Sequence, residues 1–156
     1  MSNDISFGVG IPFMDPATAA PSYVSQRCFP QPCVLVVDDE EAIREVMTDL
    51  LQEHDLRVLT AEDGAAGIEL YRAHAADVKL VLLDLTLPGM SGDEVFRRFK
   101  EIDPSVRVVL TSGYTCEEAT SKFPASSLAG FVQKPFQWTQ FATTIVEYVG
   151  GPRQDM

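Results

Sequence analysis

From residue 33 onward, short apolar runs alternate with segments of helical periodicity, and this alternation constrains the fold more than any other feature of the sequence. An apolar run too short for a helix and bounded by turn residues predicts a strand that is buried on both faces. Buried strands separated by helices form a parallel sheet with helices on both sides. We therefore predict an α/β fold, a doubly wound sheet of five parallel strands in the order 2-1-3-4-5.

The predicted strands occupy residues 33–38, 56–60, 79–84, 106–111 and 130–133. Between and after them, apolar residues recur at helical spacing and form four stripes: Ile43, Val46, Met47, Leu50 and Leu51; Ile68 and Tyr71; Val95, Phe96, Phe99 and Ile102; Trp138, Phe141, Ala142, Ile145 and Val149. Capping-box spacing predicts helix starts at Ser91 with Glu94 and at Thr115 with Glu118. The fourth helix is short, because Pro124 and the serines after it leave room for about two turns.

The chain divides by composition into an N-terminal arm or linker (1–32), one domain (33–150) and a short C-terminal tail (151–156). Five prolines in a stretch rich in Ser, Ala and Asn are typical of a linker. The same stretch contains apolar residues with the alternation of a half-buried edge strand: Ile5, Phe7, Val9, Ile11 and Phe13. A plain linker and a segment that docks on this or another chain both remain open.

Charge and cysteine content exclude several classes of protein. A net charge of −11 with only 12 Lys and Arg argues against partners such as nucleic acid or an anionic membrane. The sequence contains no apolar run long enough to cross a bilayer and no secretory leader pattern. The three cysteines, Cys28, Cys33 and Cys116, lack the spacing of a zinc site or a disulfide framework. We therefore predict a cytoplasmic protein.

Three acidic residues follow two of the predicted strands. Asp38 and Asp39 end the first strand, and Asp84 ends the third. In a sheet of order 2-1-3-4-5 these strands are neighbours, and ligands bind outside their carboxyl ends. Crowded carboxylates repel one another unless a cation separates them, so the cluster predicts a site for a hard divalent ion such as Mg²⁺. The plainer interpretation, acids that favour a helix N-terminus, leaves Asp84 on a separate strand unexplained.

Four motifs in order resemble the response-regulator receiver family over about residues 33–149. They are Val-Val-Asp-Asp-Glu at 36–40, Leu-Asp-Leu-Thr-Leu-Pro-Gly-Met-Ser-Gly at 83–92, Thr-Ser-Gly-Tyr at 111–114 and Lys-Pro-Phe at 134–136. The resemblance implies a flavodoxin-like (βα)5 fold. The sequence around 111–114 and 129–136 is most similar to that of receivers of hybrid sensor histidine kinases. A stand-alone receiver and a module of a larger protein both remain open.

The resemblance also implies roles for the acidic residues. Asp84 is expected to be the phosphoacceptor, because carboxylates of this kind form acyl phosphates. Asp39 is expected to bind Mg²⁺ directly, with Asp38 acting through water or as a secondary ligand. The main-chain carbonyl of Thr86 would complete the protein ligands.

The remaining site residues are assigned by the same resemblance. Lys134 and the hydroxyl of Ser112 are expected to bind the phosphoryl group, and Phe131 to rotate when that hydroxyl moves. Counting back from Lys134 selects Ser112 over Thr111. Plainer alternatives are a solvated lysine and a core phenylalanine. Family members usually have a cis bond before the proline that follows this lysine, and the sequence does not show the isomer.

Two positions are expected to tune the lifetime of the phosphoryl group in this family. They lie two residues beyond the phosphoacceptor and two beyond the switch hydroxyl, which are Thr86 and Tyr114 here. A bulky aromatic side chain at the second position obstructs the approach of water. We therefore predict a longer-lived phosphoryl group than a small residue at 114 would give.

Three classes of function fit an Asp nucleophile in such a sheet. The favoured one is a two-component receiver whose partner is a histidine kinase or a histidine phosphotransfer protein, and which catalyses only its own phosphorylation and dephosphorylation. A pseudo-receiver that acts only as a binding module is the alternative. A phosphatase of the haloacid dehalogenase type needs a second acid where this chain has Thr86.

His54 and His74 fit ordinary surface histidines. The short fourth helix argues against the dimer that many receivers form, so the oligomeric state stays open.

Overall fold

In the computed structural model, residues 31–124 and 126–150 are described. The strands are β1 (Cys33–Val37), β2 (Arg57–Ala61), β3 (Val78–Asp84), β4 (Val108–Ser112) and β5 (Gly130–Gln133). The helices are α1 (Glu41–Gln52), α2 (Gly64–His74), α3 (Gly92–Ile102), α4 (Cys116–Thr120) and α5 (Trp138–Gly150). The predictions for the apolar alternation at 5–13 and for the tail 151–156 lie outside the described residues.

All strand pairs are parallel, and the sheet has the order β2-β1-β3-β4-β5. The predicted fold class and strand order are therefore confirmed. The order places β1 between β2 and β3, with Val37 opposite Leu83 at the carboxyl end of both central strands. This reversal point is where an open α/β sheet leaves a crevice for ligands.

Several predicted strand limits were wrong by one or two residues. The first strand ends before Asp38, and the fourth begins at Val108 and includes Ser112. Backbone pairing sets these limits, whereas the sequence pattern detects burial. Val106 is buried at 6% exposure but precedes the strand, while Ser112 is polar yet pairs with Gln133. The second and third strands likewise cover 57–61 and 78–84 instead of 56–60 and 79–84.

The core consists of two layers, one on each side of the sheet. Alternate residues of β1 face opposite layers, because side chains of a strand have a period of two. Leu35 and Val37 pack with α2 and α3, and Val34 and Val36 pack with α1 and α5. Full burial of each aliphatic side chain stabilises the fold by about 1.5–3 kcal/mol. The ends of β1 and β3 are thus fixed by packing on both faces.

The fourth helix contains only five residues and buries only Ala119 among them. It begins with the predicted capping box: the Thr115 hydroxyl accepts from the Glu118 N–H, and the Glu118 carboxylate accepts from the Thr115 N–H. At the start of α3, the Ser91 hydroxyl accepts from the Glu94 N–H. The prediction of a short fourth helix is confirmed.

The edge strand β5 is covered differently from the central strands. Its first three residues are partly buried, and Gln133 is exposed. The ring of Tyr148 lies directly on Gly130, so an added Cβ would collide with the ring. Glycine is required at this close approach between strand and helix.

Among the described residues, no helix is both long and apolar enough to cross a membrane.

Candidate functional site

The three acidic residues singled out in the sequence come together at the carboxyl ends of β1 and β3. One carboxylate oxygen from each of Asp38, Asp39 and Asp84 lies within 4.8 Å of the others. Asp38 and Asp84 are each 1% exposed, and Asp39 is exposed. Two buried carboxylates and one exposed carboxylate therefore form a cluster that opens to solvent on one side.

Lys134 reaches this cluster from the loop that follows β5. Its Nζ donates to Asp38 Oδ2 at 3.0 Å, to Asp84 Oδ2 at 3.2 Å and to Glu40 Oε1 at 3.4 Å. The backbone holds this loop in place, since the Lys134 N–H donates to the Ser112 carbonyl at 2.8 Å. The Lys134–Pro135 peptide bond is cis. With 18% of its side chain exposed, Lys134 is not a solvated surface lysine.

The second oxygen of Asp84 is held by the following loop. Asp84 Oδ1 accepts from both the N–H and the hydroxyl of Thr86, each at 3.0 Å. Because Lys134 bonds to Oδ2, donors fix both oxygens of this carboxylate. A carboxylate oriented in this way presents its remaining lone pairs in defined directions. The Mg²⁺-binding role of the Thr86 carbonyl stays a prediction.

Asp38 is fixed through its side chain and its main chain. Its Oδ1 accepts from the Glu40 N–H at 2.9 Å, and its carbonyl accepts from Arg44 Nη1 at 2.6 Å. Sequence reasoning gave Glu40 no role, although it is the third acid of the Val-Val-Asp-Asp-Glu run. The presence of an acid directly after Asp38 and Asp39 is the only sequence signal for Glu40. Its contact with Lys134 depends on the geometry of two loops.

Burial and charge act in opposite directions in this site. Burial raises the pKa of the Asp38 carboxyl above its ordinary value, and the nearby charge of Asp84 adds to the rise. Hydrogen bonds from Glu40 and Lys134 oppose this shift without cancelling it. For Lys134, burial acts to lower the pKa, but the hydrogen bond to Asp38 and the charge of Asp84 outweigh it and the pKa is raised. The lysine is thus a permanent cation near neutral pH.

The two hydroxyl candidates occupy adjacent positions at the end of β4. Thr111 lies opposite Asp84 in the sheet, Ser112 lies opposite Gln133, and both are buried. The Ser112 hydroxyl accepts from the Tyr114 N–H at 3.0 Å. The preference for Ser112 as the switch hydroxyl stays a prediction.

Phe131 lies on the edge strand and is partly buried against one core layer. It also lines a cavity of about 290 Å³ together with Cys116, Phe123 and Leu128. The core interpretation therefore describes the packing of this side chain. Its switching role stays a prediction.

Tyr114 projects into solvent beside the phosphoacceptor loop, with 55% of its surface exposed. It lines a cleft of about 310 Å³ with Thr86, Asp93 and Lys122. The two residues expected to tune the phosphoryl lifetime therefore share one cleft next to Asp84. Their role in setting the lifetime of the phosphoryl group stays a prediction.

The donor set fits a hard divalent cation. The three clustered side chains offer only carboxylate oxygens, which Mg²⁺ prefers, and they carry more negative charge than Lys134 alone can balance. A small cation in the cluster would relieve the repulsion between them. Asp38, Asp39 and Asp84 are therefore the residues that would hold it.

A buried acidic cluster with an inward lysine, at the reversal point of a (βα)5 sheet, defines a class of signalling domain. The family model of the response regulator receiver domain matches residues 34–146, and the chain belongs to this family. Receiver domains are modules of two-component signalling rather than conventional enzymes, and they bind Mg²⁺ at their acidic pocket. Their partners are histidine kinases or phosphotransfer proteins and downstream targets.

The chain is similar to receivers in proteins of different size. It is 32% identical over 114 residues to the sensor kinase CckA of Brucella abortus, covering 73% of this chain but only 12% of CckA. It is 31% identical to the chemotaxis protein CheY of Bacillus subtilis over 67% of this chain and 86% of that protein. The response regulator TrrA of Thermotoga maritima, solved in complex with Mg²⁺-BeF, superposes with a TM-score of 0.63 at 28% identity, covering 76% and 99% of the two chains.

Proposed function

We propose that this chain is a working receiver, in which Asp84 accepts a phosphoryl group from a phosphohistidine in a Mg²⁺-dependent reaction. The observation that carries the proposal is the buried Asp84 carboxylate, oriented by Thr86 and lying 3.2 Å from Lys134 in a cluster with Asp38 and Asp39. A pseudo-receiver would need neither the complete cluster nor the inward lysine.

In the proposed reaction, an oxygen of Asp84 forms a bond to phosphorus as the phosphorus–nitrogen bond of the phosphohistidine breaks. The electron pair of the broken bond stays on the ring nitrogen. Because the other ring nitrogen carries a proton, the histidine side chain leaves as neutral imidazole. The partner is a histidine kinase or a histidine phosphotransfer protein. Bound Mg²⁺ supplies positive charge that lowers the repulsion between the carboxylate and the phosphoryl oxygens.

The protein's own residues supply the rest of the stabilisation. Lys134 carries a fixed positive charge next to the nucleophile and would pair with a phosphoryl oxygen. The Ser112 hydroxyl, which accepts from the Tyr114 N–H, would donate its hydrogen to a phosphoryl oxygen. Phe131, which borders the cavity at the edge of the sheet, would then rotate into the space that the hydroxyl leaves. Such a side-chain change alters a surface that a target protein contacts.

The experiment records intact mass over time after acetyl phosphate is added, with and without Mg²⁺. We expect a labile gain of one phosphoryl group that requires Mg²⁺ and is absent in Asp84→Asn. A matched control is Asp77→Asn, because Asp77 precedes the same strand at its opposite end and forms an exposed ion pair with Arg57. This variant should be labelled as fast as the wild type.

Loss of labelling in both variants would indicate a general effect on folding, which circular dichroism would reveal. A folded, Mg²⁺-binding protein that gains no phosphoryl group, either from acetyl phosphate or from a phosphorylated histidine phosphotransfer protein, would contradict the proposal. That result would favour the pseudo-receiver.

A further inference from the structure

Lys134 has a third carboxylate partner that is not one of the three clustered acids. Glu40 Oε1 lies 3.4 Å from Lys134 Nζ, and 60% of the Glu40 side chain is exposed. The Glu40 backbone is held in place, because its N–H donates to Asp38 Oδ1 at 2.9 Å and its carbonyl accepts from the Arg44 N–H. The backbone that carries this side chain is therefore fixed within reach of the lysine.

The three carboxylate partners of Lys134 differ in whether they would bind a divalent ion. Asp38 and Asp84 belong to the cluster whose oxygens would surround a divalent ion, and Glu40 does not. A bound divalent ion would compete with Lys134 for the oxygens of Asp38 and Asp84. Glu40 would then be the partner still free to pair with the lysine before the phosphoryl group arrives.

We propose that Glu40 is a positioning residue that holds Lys134 in the unphosphorylated protein and competes with the incoming phosphoryl group for it. The inference rests on the proposed function, since it concerns the lysine that pairs with phosphate. Phosphorylation of Asp84 requires Lys134 to exchange Glu40 for a phosphoryl oxygen. Glu40 therefore slows phosphorylation of Asp84 and favours release of the phosphoryl group.

The expected size of the effect follows from the exposure of Glu40. An exposed ion pair is weak because water screens it, and its loss corresponds to a change of about two- to fivefold in a rate or equilibrium. The test therefore compares rates of labelling by acetyl phosphate at saturating Mg²⁺ among variants that differ in one property each. Glu40→Gln removes the charge and the ion pair, and Glu40→Asp keeps the charge but is one methylene too short for the contact.

The matched control is Glu41→Gln, which makes the same change of net charge at the next, exposed position. We expect Glu40→Gln to be labelled about two- to fivefold faster than the wild type, Glu40→Asp also to be faster, and Glu41→Gln to be unchanged. Equal rates for Glu40→Gln and Glu41→Gln would overturn the inference, because a general charge effect would then explain both. Slower labelling of Glu40→Gln would overturn it as well.

A second measurement detects the contact between Glu40 and Lys134 in the unphosphorylated protein. The side-chain ammonium signal of Lys134, one of four lysines in the chain, is followed by NMR in the Mg²⁺-free protein. It should shift in both Glu40 variants and stay in place in Glu41→Gln. An unmoved signal would overturn the inference even in a protein that is phosphorylated normally. A wild type that takes no phosphoryl group would contradict the proposed function separately.

Discussion

The centre and the edge of the sheet contribute to the same site but are packed differently. All five residues of β1 are buried, as are six of the seven of β3, whereas β5 has three partly buried residues and one exposed residue. The two connecting helices differ as well, since α3, which joins β3 to β4, has 11 residues, and α4, which joins β4 to β5, has five. The acidic residues extend from the central strands, and Lys134 and Phe131 belong to the edge.

This difference in packing explains how a small domain can combine a buried acidic cluster with a surface that changes on phosphorylation. Carboxylates that repel one another must be held by packing, so they follow strands that are buried on both faces. A side chain that changes position needs free space beside it, and Phe131 borders a cavity of about 290 Å³. We therefore infer that the centre of the sheet fixes the charges and that the edge responds to them.

The largest expected effect tests the packing difference directly. Leu83→Ala removes a fully buried side chain from β3 and should lower the free energy of unfolding by about 2–5 kcal/mol. Val132→Ala on β5 removes a partly buried side chain and should cost about 1 kcal/mol or less. Urea denaturation measures both. Equal losses would show that the edge is packed as tightly as the centre.

The second prediction concerns the charge cost at the centre. Because burial raises the pKa of Asp38 in the folded protein, its ionisation destabilises the fold. Asp38→Asn removes that charge, and we expect unfolding in chelator at pH 7 to require about 1 kcal/mol more free energy. Mg²⁺ should stabilise the wild type and have a smaller effect on the variant.

The pH dependence of this difference has a defined sign. The ionisation cost of Asp38 is complete above its raised pKa and disappears as the pH falls below the ordinary value of 3.8. The stability advantage of Asp38→Asn should therefore shrink on acidification across that window. An advantage that is independent of pH, measured by thermal unfolding in chelator, would show that burial of the charge is not its origin.

The sequence predicted the strands and the acidic cluster better than the contacts between loops, for physical reasons. The runs at 33–37 and 80–83 are continuous and apolar because both faces of these strands are buried, and the acids after them are local in sequence. The contact of Lys134 with Glu40 joins residues 94 positions apart and depends on side-chain directions in two loops. No periodicity encodes such a contact.

The limits of β4 show a second reason. Apolar pattern reports burial, so it included Val106, which is buried outside the ladder, and excluded Ser112, which is polar and pairs within it. The short α4 was predictable because its start and its end both carry local signals, a capping box at Thr115 and a proline at 124.

The third prediction asks what holds α4. Since this helix buries only Ala119, its cap should contribute a larger share of its stability than the cap of α3 does. Thr115→Ala should destabilise the segment by about 1 kcal/mol and raise amide hydrogen exchange at 116–120. Ser91→Ala is the matched substitution at α3 and should leave exchange inside that helix nearly unchanged. Equal responses would mean that packing holds both helices alike.

The smallest expected effect concerns the lifetime of the phosphoryl group. Tyr114 lies beside the phosphoacceptor loop with 55% of its surface exposed, and its N–H holds the Ser112 hydroxyl. It lines a cleft together with Thr86, and the prediction is that its ring limits the approach of water to Asp84. After removal of acetyl phosphate, Tyr114→Ala should lose its phosphoryl group about two- to fivefold faster than the wild type. Tyr114→Phe keeps the ring and should behave as the wild type. A normal lifetime in Tyr114→Ala would show that the cleft does not control the access of water to Asp84.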